Sequence, residues 1–343
     1  MSAQEAEALA QALLALQGKR AALLIVVATQ GSTYRRSGAK LLVDEEGKTL
    51  GAISGGCVEG MILQAAQEAL AGKAPLLLRL DLEDESVFGY LVGCPGKLAL
   101  LVQEVSQNPL WLLWAKSVLA QEKGAMLLGV SGELHGKTLF FQENHAMGDE
   151  ALKKAWGEEA LPAFPKLVST PLGEVFCDPV CLRLPLVVFG GGLDVLPLLR
   201  LAQAYGFSPL AVEPREAFAS RLAEAGFRVL QASPREVHLR DFPENAFVVI
   251  MNHHLQRDAE SLEAACHMKP RYLGALGPKS RWEKILSRKN PLPCTLFNPV
   301  GLDIGSESAG EVALAVVAEM LAVARGRQGG FLREKSGFIH HHG

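Results

Sequence analysis

The sequence is poor in the features that mark several large protein classes. It has no block of lysine and arginine, and its formal net charge is −3, so it lacks the electrostatic footprint of a nucleic-acid-binding chain. No uninterrupted apolar stretch reaches the roughly 18 residues of a membrane span; even ALAVVAEMLAVA is broken by Glu319. Glu5 and Glu7 stand where a secretory signal needs positive charge, so the opening segment reads as an amphipathic helix. Cysteine is sparse: Cys57, Cys94, Cys177, Cys181, Cys266 and Cys294 are scattered over 343 residues, which is no disulfide framework. Cys177 and Cys181 have no second pair at zinc-finger spacing. Together these absences point to a cytoplasmic protein that neither crosses a membrane nor binds nucleic acid.

What is present is the composition of an α/β protein. With 49% hydrophobic and 21% charged residues, the chain suits about two domains. The first, residues 1–182, is expected to be mixed α/β. Strands are expected at 22–29, 40–43, 49–53, 76–80 and 98–105, and helices at 57–71 and 109–120. Met61, Leu63, Ala66 and Leu70 lie on or near one face of the first of these helices. Residues 133–164 show weak periodicity and carry no assignment. The proline-bearing segment CDPVCLRLP (Cys177–Pro185) marks the boundary. From 183 to 330, strands alternate with helices, the pattern of a doubly wound parallel sheet, and a glycine-rich mobile tail is expected over 331–343.

Two glycine-rich turns dominate the reading. The first, LGAISGGCVEG, places Gly55 and Gly56 before Cys57 at a predicted helix start, where helix dipole and backbone N–H groups favour an anion and ease thiol ionisation. Glu59 reads as a helix-start acid or a site residue. The adjacent Arg35 and Arg36 read as a solvated pair or as a phosphate clamp. The second turn, LVVFGGGLDV, is an imperfect dinucleotide fingerprint: Gly190 and Gly192 fill the first two glycine positions and Val195 the third. Glu213 lies 21 residues past Gly192, where an acid can bond a ribose 2′-OH. Its charge predicts a preference for a non-phosphorylated ribose, with Arg215 as the opposing feature. His253 and His254 follow the strand FVVIMN at its carboxyl end, the side on which such sheets bind ligands. Asp258 lies close enough in sequence to orient a histidine, and Asp194 sits in the glycine turn.

GSTYRRSGAKLLV followed by GAISGGCVEG resembles the N-terminal signature of the xanthine dehydrogenase accessory factors, the XdhC/CoxI family. LVVFGGGLDV with AVEPR, then YLGALGPKSRWEKIL, NPVGLDIGSESAGEVALAVVAEMLA and GRQGGFLREKSGFIH resemble its C-terminal Rossmann half. The resemblance spans about residues 8–105 and 184–341. It implies a protein, more chaperone than catalyst, that binds molybdenum cofactor, supports its sulfuration by a cysteine desulfurase and delivers it to a molybdenum hydroxylase. It implies Gly55, Gly56, Cys57, Glu59, Arg35, Arg36 and Cys94 as cofactor-binding, with Cys57 toward the molybdenum. In the Rossmann half the fingerprint and the strand ends make Gly190, Gly192, Asp194, Glu213, Arg215 and His253 the nucleotide-binding candidates, for NAD or NADP.

Departures from the family pattern are local. Cys94-Pro95-Gly96 stands where Cys-Gly-Gly is usual, and proline removes an N–H donor. Leu193 replaces a histidine, and Ser37 often a proline. The other readings are an NAD(P)-dependent oxidoreductase and a nucleotide-sensing regulator. The expected assembly is a homo-oligomer, with the two turns bordering one cleft. No catalytic residue is assigned.

Overall fold

The structure is a computed structural model, and it describes residues 1–16, 18–31, 33–56, 58–73, 75–82, 96–106, 108–142, 145–157, 159–238, 240, 242–287, 292 and 294–334. Cys57, Cys94 and the terminal histidines lie outside the described residues. The chain divides into two compact units, Met1–Leu182 and one running from Arg183 to Glu334.

The N-terminal unit begins with α1 (Ala3–Leu14), whose start is fixed by a capping box between Ser2 and Glu5. Then come β1 (Ala21–Gly31), β2 (Lys40–Asp44), β3 (Thr49–Gly51), α2 (Glu59–Glu68), β4 (Leu76–Asp81) and β5 (Gly96–Glu104). The five strands form an antiparallel sheet in the order β3-β2-β1-β5-β4. Next are α3 (Pro109–Ala120), β6 (Gly124–Gly129), β7 (Thr138–Gln142), β8 (His145–Gly148), α4 (Glu150–Trp156), β9 (Lys166–Thr170) and β10 (Gly173–Pro179). The second sheet, β8-β7-β6-β10-β9, repeats the order of the first, with a helix at the same two places in the connectivity.

The repeat extends to side chains. Gly38 and Gly136 each stand two residues before the second strand of their repeat, and Pro75 and Pro165 each one residue before the fourth. A Cβ on Gly38 would lie 2.5 Å from Pro165, and one on Gly136 would lie 2.6 Å from Pro75. The two repeats therefore lock onto each other reciprocally, as a two-fold arrangement requires. Lys40 opens β2 and pairs with Asp178, the second-to-last residue of β10. The equivalent positions are Thr138 and Gln103, which line one small cavity.

The core explains the layering. Ala21 to Val27 of β1 are all buried, and successive side chains point to opposite faces. Leu23, Ile25 and Val27 join Leu9, Leu13, Trp111, Trp114, Met126, Phe140 and Phe176, so α1 and α3 lie between the sheets. Ala22, Leu24 and Val26 face α2 on the outer side, and α4 covers the outer face of the second sheet. The expected face of α2 is shifted: Ile62, Ala65 and Ala66 are buried, whereas Met61 and Leu63 are only half-buried. The segment without assignment, 133–164, is the middle of the second repeat. Its strands are four or five residues long, too short for periodicity to register. The proline-bearing segment Cys177–Pro185 includes the end of β10, at Pro179, and the two units part within it, between Leu182 and Arg183.

The C-terminal unit contains β11 (Leu184–Phe189), α5 (Val195–Ala204), β12 (Phe207–Val212), α6 (Glu216–Glu224), β13 (Arg228–Leu230) and β14 (Phe247–Ile250). It continues with α7 (Leu255–Met268), β15 (Tyr272–Ala275), α8 (Lys279–Leu286), β16 (Leu296–Phe297) and α9 (Ala309–Ala324). All strands are parallel, in the order β13-β12-β11-β14-β15-β16. This is the doubly wound Rossmann order, with the direction of winding reversing between β11 and β14. Fully buried runs such as Val187–Phe189 and Phe247–Ile250 suit a parallel sheet covered on both faces. Among the described residues, no helix is long and apolar enough to cross a membrane.

Candidate functional sites

In the C-terminal unit the sheet positions a site at the switch point. The backbone of Gly190 adopts φ 131°, and a Cβ there would lie 2.5 Å from the Met251 carbonyl oxygen. The turns after β11 and β14 thus touch through backbone, which glycine alone permits. His253, in the left-handed region at φ 54°, places Nε2 2.6 Å from Asp194 Oδ2. A non-glycine residue in that region is uncommon and marks a position the surroundings hold. The partner that orients His253 is therefore Asp194, from the glycine turn. Asp258, the expected orienting acid, is buried and accepts from the backbone and side-chain amides of Asn252 while pairing with Arg281. Burial pushes its carboxyl up, against the pull of Arg281 and Asn252. His254 turns away to cap α7, accepting from the Arg257 N–H.

Glu213 directly follows β12 and has 0% exposure. Its Oε1 accepts from Arg215 Nε at 2.7 Å and from the Arg215 backbone N–H at 2.9 Å, and its Oε2 accepts from Nη2 at 2.7 Å. Burial alone would raise this carboxyl; the Arg215 contacts outweigh it and hold it below the usual carboxylate range. The middle glycine of the turn answers to this carboxylate, because a Cβ on Gly191 would lie 2.7 Å from Glu213 Cγ and Oε2. Arg221, on α6, donates to the carbonyls of Gly191 and Gly192 at 2.6 and 2.9 Å. The Phe218 ring lies near both guanidiniums, its centre 3.8 Å from Arg215 Cζ and 5.3 Å from Arg221 Cζ. Sequence reasoning passed over Gly191, Phe218 and Arg221. The spacing of Arg215, Phe218 and Arg221 on one helical face was the available signal. Val195, at the third fingerprint position, is fully buried among Leu186, Val188 and Leu198.

The first glycine turn of the N-terminal unit is open to solvent. Gly55 and Gly56 are exposed, with Gly56 at φ 122°. Ser54 donates to Glu59 Oε1 at 2.7 Å and accepts from the Gly56 N–H, so Glu59 buttresses the turn from the start of α2. A Cβ on Gly55 would lie 3.6 Å from the ring of Tyr34, which is 58% exposed. The structure therefore brings an exposed aromatic against an exposed glycine turn, a pairing not evident from either segment alone. Arg35 donates to both carboxylate oxygens of Glu5 on α1, at 2.8 and 2.9 Å, and so ties its loop to that helix. Arg36 is also engaged by a neighbouring group. Behind this loop, Lys40 Nζ lies 2.6 Å from Asp178 Oδ2, with side chains 1% and 3% exposed. Cys177, buried next to Asp178, has its thiol pushed up to about 12, chiefly by burial. Among the described residues no cluster of three or more His, Cys, Asp or Glu side chains could hold a metal ion.

These features define a two-unit α/β protein whose second unit is a Rossmann fold with a glycine turn at its switch point. The XdhC and CoxI family model matches residues 14–81, and the XdhC Rossmann domain model matches residues 186–320. With both units matched, the chain belongs to the XdhC and CoxI family. It is 29% identical to a probable xanthine dehydrogenase subunit from Bacillus subtilis, covering 88% of this chain and 93% of that one. It is 26% identical to the molybdenum cofactor insertion chaperone PaoD of Escherichia coli, covering 90% and 85%. A crystal structure described as a xanthine dehydrogenase from Bacillus halodurans superposes with a TM-score of 0.79 at 25% identity, over 96% of this chain and 97% of the other.

Proposed function

We propose that this protein is a molybdenum cofactor chaperone, which holds the cofactor, supports its sulfuration and delivers it to a molybdenum hydroxylase. The observation that carries the reading is family membership across both units, together with full-length likeness to a relative named as a cofactor insertion chaperone. Gly55, Gly56 and Glu59 hold the turn, Cys57 supplies the thiolate, and Cys94 and Arg36 belong to the same site. Arg35, tied to Glu5 through Nη2, belongs to it as well. The turn fits such a ligand: it is uncovered, and Tyr34 offers a face on which a flat heterocycle stacks. When bound, the cofactor brings a phosphate and a soft metal–sulfur centre, which suit a helix start and a thiolate. The sulfur comes from a cysteine desulfurase, the client is a molybdenum hydroxylase such as a xanthine dehydrogenase, and the protein works in the cytoplasm as a homo-oligomer.

The Rossmann unit takes a dinucleotide, NAD or NADP, at Gly190, Gly192, Asp194, Glu213, Arg215 and His253. An oxidoreductase role has less support, because Asp258 is committed to Asn252 and Arg281. The His253–Asp194 pair is then the proton-handling arrangement left to it. The test is purification of wild type and Cys57→Ala from cells that make molybdenum cofactor. Wild type is expected to carry molybdenum and molybdopterin, and the variant to lose both while remaining folded by circular dichroism. Equal cofactor content in the two proteins removes Cys57 from the site; none in either removes the chaperone reading.

A further inference from the structure

At the carboxyl end of the second strand of a Rossmann sheet, an acid that bonds the ribose hydroxyls selects NAD, and a nearby arginine accommodates the 2′-phosphate of NADP. Glu213 and Arg215 offer both chemistries, and sequence alone favours the acid. The structure reverses the balance. Glu213 is fully buried, and both oxygens are engaged by Arg215. A hydroxyl-bearing ligand therefore meets no accessible acceptor at that carboxylate. The Arg215 side chain, by contrast, is 36% exposed. It uses Nε and Nη2 on Glu213, and its Cζ lies 3.8 Å from the centre of the Phe218 ring, so N–H groups remain on a guanidinium already held in place. Such a fork matches phosphate oxygens, and little side-chain entropy remains to be lost on binding.

The surrounding charge points the same way. Arg221 Cζ lies 5.3 Å from the centre of the Phe218 ring, and Arg257 acts on Glu213 as a further positive charge. Two guanidiniums thus act on one buried carboxylate, and a third holds the carbonyls of the glycine turn. We infer that the dinucleotide this unit accepts carries a 2′-phosphate, and that Arg215, positioned by Glu213 and Phe218, is the residue that selects it. The inference rests on the dinucleotide reading above.

Calorimetric titration of the full-length protein with NADP and with NAD tests it. Wild type binds NADP at least about tenfold tighter, the scale of one charge-assisted contact. Arg215→Lys keeps a cation but loses the fork, and weakens NADP by roughly tenfold while leaving NAD unchanged. Removing Arg215 alone would strand a buried charge. Glu213→Gln with Arg215→Leu therefore serves as the second variant, in which the two affinities converge. NAD binding as tightly as NADP to wild type overturns the selection by Arg215 and leaves the dinucleotide reading standing. Binding of neither overturns both.

Discussion

Replacing Lys40 by methionine strands the Asp178 carboxylate in the interior of the N-terminal unit. The pair lies at 2.6 Å with both side chains almost wholly out of solvent. At an effective dielectric of about 20, the attraction is on the order of 6 kcal/mol. Desolvation costs several kcal/mol per ion, so the intact pair contributes little net stability. Loss of one partner is different: an uncompensated buried charge costs about 3–5 kcal/mol. With a urea dependence of about 2 kcal/mol per molar, Lys40→Met moves the unfolding midpoint down by roughly 2 M. Trp111, Trp114 and Trp156 belong to this unit and Trp282 to the other, so fluorescence mainly follows the affected transition. The double variant Lys40→Met with Asp178→Leu recovers most of the loss, because it leaves no orphan charge. The protein already contains an uncharged counterpart in Thr138 and Gln103. A shift under about 0.5 M for the single variant, or a double variant as unstable as the single, refutes the reasoning, since it would mean the orphan charge is not what costs.

Gly190→Ala puts a Cβ 2.5 Å from the Met251 carbonyl oxygen at φ 131°. Strain and overpacking together cost about 2–5 kcal/mol, measurable by denaturation of the C-terminal unit, and a cost under about 1 kcal/mol would show that the two turns part freely. Glu213 has a folded-state pKa below its ordinary value of 4.5. Its contribution is therefore complete above that value and is lost as pH falls through the depressed folded value. Denaturation midpoints measured from about pH 6 down to about pH 3 should fall less steeply for Glu213→Gln than for wild type; parallel slopes contradict the assignment.

The Rossmann half was legible because its signals are local. Apolar runs such as Leu186–Phe189 and Phe247–Ile250 alternate with amphipathic helices, and this alternation in a single chain specifies parallel strands. The glycines of the second turn carry their requirement in their own backbone angles, so Gly190 could be named before any contact was known. The capping acids Glu5 and Glu311 were likewise local, each lying three residues after its serine cap.

Contacts between distant segments decided the rest. The doubled architecture of the N-terminal unit was invisible because the repeats match in strand order and in a few glycine, proline and polar positions, while their short strands carry unrelated apolar residues. That Arg35 would meet Glu5 of α1 could not be read from either segment alone. Asp258 looked like the partner of a histidine until Asn252 and Arg281 surrounded it and Asp194 took that role. Composition and periodicity determine which segments become strands and helices, since hydrophobic burial depends on the spacing of side chains along one chain. Which charge meets which depends on the route the chain takes between them, and only the tertiary structure buried Glu213 and left the Arg215 side chain partly exposed.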